Sequence, residues 1–164
     1  MQLYLMQHGL ALTEQENAEQ PLSPAGVSQI QDAAAGIKQL RLVFDLIISS
    51  PKRRAHQSAA LLAETLRYPY GDILVSDSLL PQADPKDVLG LLIVEPPQSN
   101  ILLVGHQPSL GRIASLLLGG GGVQVENGSL AAFSYDKEKK FSSLNFLLTA
   151  EQLARFGTAR FSGY

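Results

Sequence analysis

The chain of 164 residues has no cysteine and only three histidines. Without cysteine there are no disulfides, no thiolate nucleophile and none of the usual zinc ligand sets, and the redox compartment is left open. A broad positive surface is lacking too. The formal net charge is -2 and the pI is near 5.9, so the electrostatic footprint of a nucleic-acid binder is not expected. No stretch approaches the ~18 uninterrupted apolar residues of a membrane span, and no basic segment followed by a long apolar run opens the chain. The expectation is a soluble, cytoplasmic protein with neither a nucleic-acid nor a membrane partner. What the chain does have is 45% hydrophobic content, enough at this length for one domain, residues 1–164, to bury a core without staples.

Short β-rich runs alternate with helical periodicity, which predicts an α/β domain built on a largely parallel sheet. A first strand is expected over roughly Gln2 to Gln7. Ser23 and Pro24 open a helix carrying Val27, Ile30, Ala34 and Ile37 on one stripe. Asp45 to Ser50 reads as a strand buried on both faces and ended by Pro51. A second helix follows, with Ala55, Ala59, Leu62 and Leu66 inward and Lys52, Arg53 and Arg54 in its first turn. Cations there oppose the helix dipole by about 0.3 to 1 kcal/mol each when exposed, so an anion nearby is expected to offset them.

Asp72 to Ser76 reads as a third strand, and Asp84 caps a helix with Pro85 at its first position. Asn100 to Val104 is a strand followed by Gly105, His106 and a helix opened by Pro108, with Leu110, Ile113 and Leu117 inward. The four glycines Gly119 to Gly122 lack the spacing and the lysine of a phosphate loop and read as a flexible connector. Asn127-Gly128 suggests a hairpin turn. A last strand is expected around "SSLNFLLT". Thr149 and Gln152 form a capping box for a helix through about Phe156, after which the end is expected to fray.

Two of the histidines occupy the same kind of place. Both His8, in "LMQHG", and His106, in "LLVGHQPSL", follow a buried strand, at the edge where open α/β sheets bind ligands. With Arg53 and Arg54 after the second strand, they make a poor metal site: two imidazoles leave zinc short of ligands, and arginine repels the ion. They make a good anion site, because guanidinium presents a rigid fork of donors matched to phosphate oxygens. A neutral imidazole beside a held phosphoryl group can attack phosphorus. A second, protonated one can stabilise the charge on the equatorial oxygens.

These segments resemble the histidine phosphatase superfamily, named for an Arg-His-Gly motif after its first strand, and especially its short SixA-like phosphohistidine phosphatases. "LYLMQHG", "PLSPAG", "SSPKRRAHQSA", "LLPQADPKDVLGLL" and "LLVGHQPSL" match in order across nearly the whole chain. The resemblance implies a three-layer α/β/α sandwich of phosphoglycerate mutase-like type, with a mostly parallel sheet and no cofactor or metal. It implies His8 as the phosphorylated nucleophile, Arg54 as a phosphate ligand and His106 as the electrostatic partner. The substrate would be a phosphohistidine-bearing protein or a small phosphorylated compound.

One position departs from the family. Gln7 stands where relatives carry arginine, which removes a charged donor worth roughly 1.5 to 3 kcal/mol. A weakened phosphatase, or a pseudo-phosphatase that only binds phosphorylated partners, is therefore open beside the active enzyme, as is a small-molecule phosphomonoesterase. Gly9 would permit a tight turn close to other backbone. Asp84 is the candidate general acid, although its capping role competes. Arg53 and His56 are read as surface residues, Gln57 and Ser58 receive no role, and the acidic loop Thr13 to Gln20 is read as a rim over the site.

Overall fold

The structure is a computed structural model in which residues 1–96 and 99–159 are described. Six strands form one sheet in the order β3-β2-β4-β1-β5-β6. They are β1 (Gln2–Gln7), β2 (Leu46–Ser49), β3 (Leu74–Val75), β4 (Asn100–Gly105), β5 (Leu130–Asp136) and β6 (Phe141–Leu148). The first four run parallel and the last two are antiparallel additions.

Alternation along β1 builds the layers. Tyr4 and Met6 join one core with Ile30 and Ile37 of α1 (Pro24–Gln39), Ala55 and Leu62 of α2 (Arg53–Leu66) and Leu153 of α5 (Ala150–Thr158). Leu3 and Leu5 join a second core with Val88 and Leu92 of α3 (Pro85–Ile93) and Leu110 and Ile113 of α4 (Ser109–Leu117). Successive side chains of a strand point to opposite faces, so one strand serves both cores. The result is the expected three-layer α/β/α sandwich.

The caps follow the sequence closely. Ser23 accepts a hydrogen bond from the Gly26 amide and Asp84 from the Lys86 amide, while Thr149 and Gln152 complete their reciprocal box. The third strand is shorter than expected, because Tyr70–Asp72 is a 3₁₀ turn and leaves only Leu74–Val75 paired. Asn127-Gly128 is not a hairpin tip. It is a turn that docks on the end of β1, with the Gly128 amide, at φ 69°, donating to the Gln7 carbonyl. The hairpin itself joins β5 to β6 through residues 137–140, where Asp136 Oδ1 accepts from the Glu138 and Lys139 amides. The expected fraying at the C-terminus falls on residues 160–164, outside the described residues. Among the described residues no helix is long and apolar enough to cross a membrane.

Candidate active site

β1 and β4 are neighbours, and Gln7 lies opposite Gly105 in their register. Parallel strands advance together, so the next residue of each, His8 and His106, leaves the sheet side by side. Their ring centroids are 4.9 Å apart, close to the spacing of the strands that carry them. After His8 the chain enters α1 on one face of the sheet, and after His106 it enters α4 on the other. The crevice between these diverging connections is where ligands bind in open α/β sheets.

The turn after His8 is held from several sides. Ser58 Oγ accepts from the Gly9 amide at 3.1 Å, and Asn127 Nδ2 donates to the His8 carbonyl at 2.9 Å. The His8 amide donates to the Gly105 carbonyl at 3.1 Å. Gly9 is required by space: a Cβ there would stand 2.8 Å from both the Gly26 carbonyl oxygen and Ile30 Cγ1. The loop thus lies directly on α1, which fixes the direction of the His8 ring.

That ring has a defined tautomer. Nδ1 lies 2.7 Å from the Gly9 carbonyl, which can only accept, so Nδ1 carries the proton. Nε2 is left with its lone pair, and Arg54 Nε donates to it at 3.0 Å. Burial pushes the His8 imidazole down to about 4; the Gly9 bond opposes this and Arg54 adds to it. The ring is neutral near pH 7.

His106 is more deeply buried, at 2% exposure. Its Nε2 lies 2.8 Å from Ser50 Oγ, while the buried Nδ1 has no hydrogen-bond partner among the described residues. Burial first, then His8, Arg54 and Lys52, push its pKa to about 3. The His106 ring is therefore neutral near pH 7. Burial and the neighbouring positive charges both disfavour the protonated ring.

Arg54 projects from the first turn of α2, where its Nη1 also donates to Gln20 Oε1 at 2.9 Å. Arg53 points away and pairs with the exposed Glu19. The structure thus brings His8, Gly9, Arg54 and His106 together, with Gln7 at the adjoining strand end. Asp84 stands apart in its bonding. It is exposed and its carboxylate caps α3, and among the described residues no carboxylate bonds to His8, His106 or Arg54. His56 is not a free surface residue but a brace, half-buried between Ser49 Oγ (3.2 Å) and the Tyr70 hydroxyl (3.0 Å).

Sequence reasoning missed the residues that hold the site in shape. Ser58 supports Gly9, and Gln57 Oε1 accepts from the Leu22 amide at 2.8 Å, anchoring the acidic loop. Ser50 and Asn127 were also overlooked. Helical spacing offers a signal for the first pair, since Gln57 and Ser58 lie three and four residues after Arg54, on the same side of α2.

The sequence model described as "Histidine phosphatase superfamily (branch 1)" matches residues 3–73. An uncharacterized protein of Picosynechococcus sp. is 31% identical over 126 residues, covering 71% of this chain and 73% of the relative. The chain belongs to the histidine phosphatase superfamily. Its fold is the phosphoglycerate mutase-like fold of SixA. The structure of the protein histidine phosphatase SixA complexed with tungstate matches with a TM-score of 0.83 at 23% identity, over 93% of this chain and 99% of that one. A phosphoserine phosphatase mutant from Entamoeba histolytica, in complex with phosphoserine, matches with a TM-score of 0.70 at 16% identity, over 93% and 98% of the two chains. The alpha-ribazole phosphatase from Shigella flexneri gives 0.68 at 19%, over 92% and 97%.

Proposed function

We infer that this protein is a phosphohistidine phosphatase working through a phosphorylated His8. The observation that carries this reading is the His8 tautomer: Nδ1–H is held on the Gly9 carbonyl, so the Nε2 lone pair faces Arg54 beside the second imidazole. In the first step Nε2 attacks phosphorus in line. The substrate's P–N bond breaks, its ring, already protonated on the other nitrogen, leaves as neutral imidazole with the electron pair, and a P–Nε2 bond forms. In the second step water attacks phosphorus, Nε2 departs, and inorganic phosphate is released. Arg54 Nε–H passes from Nε2 to a phosphoryl oxygen while Nη1 stays on Gln20. His106 gains a proton as the dianion binds and steadies the equatorial charge. These charges come from the chain's own side chains, so the reading calls for no metal.

The leaving group suits a site whose imidazoles and Arg54 bond to no carboxylate among the described residues. Imidazole leaves far more readily than an alkoxide, which needs protonation. This favours phosphohistidine over sugar or serine phosphates. That the SixA structure is complexed with tungstate, a tetrahedral oxyanion like phosphate, is in keeping with an oxyanion between the two rings.

Gln7 favours a second reading, a pocket that recognises phosphorylated partners without turnover. Rapid mixing with a phosphohistidine-bearing carrier protein separates the two. Acid-labile label that appears on His8 and then clears is the expected result; saturable binding without label would establish the binding module. Comparing rates on phosphohistidine, a phosphoserine peptide and a sugar phosphate tests the substrate class, and phosphohistidine is expected to lead. Gln7→Arg is expected to raise kcat/KM by about ten- to a hundredfold, the worth of one charged hydrogen bond.

A further inference from the structure

Among the described residues, four other than glycine have positive φ: Gln20 (47°), Arg41 (56°), Arg67 (59°) and Lys140 (50°). Arg41 and Arg67 sit at the ends of α1 and α2, and Lys140 closes the turn between β5 and β6. Left-handed residues are ordinary at such places. Gln20 ends no helix; it follows the turn that begins at Asn17, inside the loop closed by the Ala11–Leu22 antiparallel bridge. It lies at the close of the acidic loop, where a glycine would adopt the same backbone without the ~1 kcal/mol cost of a Cβ. A strained residue that keeps its side chain beside a site points to a use for that side chain.

The loop does not need the Gln20 carboxamide to hold its path. Its ends are closed by the Ala11–Leu22 bridge, the Leu12 amide to the Pro21 carbonyl at 2.9 Å, and the Leu22 amide to Gln57 Oε1 at 2.8 Å. The strained turn itself is made by backbone, Gln20 N–H to the Asn17 carbonyl at 2.9 Å. The carboxamide is spent on Arg54: Oε1 accepts from Nη1 at 2.9 Å while Nε of the same guanidinium donates to His8. Two successive loop residues thus hold two successive arginines with different chemistry. Glu19 neutralises the outward Arg53, whereas a neutral amide meets the inward Arg54.

We propose that Gln20 is a positioning residue for Arg54, fixing the guanidinium plane toward the phosphoryl group while leaving its charge uncancelled. This rests on the reading of the site as a phosphoryl site. A guanidinium free at one end loses orientational freedom when it binds, and a bond already made at Nη1 removes part of that loss. A carboxylate at this position would hold the plane equally well but would compete with the phosphoryl dianion for the same charge.

Two variants and two measurements test this. Gln20→Gly deletes the carboxamide and relieves the backbone, so its melting temperature is expected to equal or exceed that of the natural protein. Its affinity for inorganic phosphate, titrated by calorimetry, is expected to fall about five- to tenfold, the worth of a typical hydrogen bond. Gln20→Glu is expected to fall further. By ¹⁵N NMR without any anion, the Arg54 Nε–H signal is expected to be sharp in the natural protein and broadened in Gln20→Gly. An unchanged signal, or phosphate binding by Gln20→Gly or Gln20→Glu equal to that of the natural protein, overturns the proposal. Failure of the natural protein itself to bind phosphate overturns the phosphoryl reading, a result separable from the anion-free NMR comparison.

Discussion

The two strand-to-histidine junctions look alike in sequence and behave differently in three dimensions. At the end of β1, His8 is held through its own backbone by Asn127 and Gly105, through Gly9 by Ser58, and through its ring by the Gly9 carbonyl, leaving Nε2 toward Arg54. At the end of β4, His106 is anchored by Nε2 on Ser50, and its buried Nδ1 has no partner among the described residues. The difference teaches that the strand–histidine pattern sets position, and the neighbours of each ring set its task.

Removing either ring is the most direct way to break this comparison. His8→Ala is expected to abolish the acid-labile phosphoenzyme and to lower kcat by at least about a thousandfold, read by label incorporation and steady-state rates. His106→Ala is expected to cost about 10²- to 10³-fold in kcat, as removal of one stabilising donor does, while label still accumulates slowly on His8. Equal loss of label in both variants would erase the distinction.

A gentler test titrates both rings together. Their folded pKa values, about 4 for His8 and about 3 for His106, lie below the unfolded value of 6.5. As pH falls below about 6.5 the unfolded chain takes up protons first. The stability these neutral rings contribute is therefore full above that pH and is lost progressively toward 4 and then 3. Urea melts between pH 7.5 and 4.5 are expected to show a loss on the order of a few kcal/mol, flattened in a His8→Asn, His106→Asn double variant. Phosphate binding is expected to take up protons, because a dianion raises both pKa values. Calorimetry in buffers of different ionisation enthalpy measures that uptake.

The smallest expected effect belongs to a residue outside the pair. Asp84→Ala is expected to cost about 1 kcal/mol of stability through the lost helix cap, with kcat/KM on phosphohistidine changed by less than about twofold. A general acid would instead reveal itself as a loss of about a hundredfold or more.

Much of this was legible in one dimension because it rests on local rules. Caps at Ser23, Asp84 and Thr149, the buried runs of β1, β2 and β4, and the strand–histidine junctions depend on residues close in sequence. The errors came where distant parts meet. β5 passed unnoticed because Leu130-Ala-Ala-Phe133 is alanine-rich and weak in β propensity, yet all four residues are buried in the sheet. Asn127-Gly128 has the composition of a hairpin tip, but its partner is the end of β1, and the His8 carbonyl that Asn127 reaches lies 119 residues away in sequence. The neutrality of His106 was equally hidden, since burial is a property of the assembled molecule.

The register of β1 against β4 has a mechanical consequence. Because Gln7 faces Gly105 within the paired strands, no loop movement can widen the gap between the histidine backbones; only slipping or separating two central strands would do so. The spacing is inherited from the most protected part of the molecule. The His8 amide, tied to the Gly105 carbonyl, should therefore exchange its hydrogen only when the whole sheet opens.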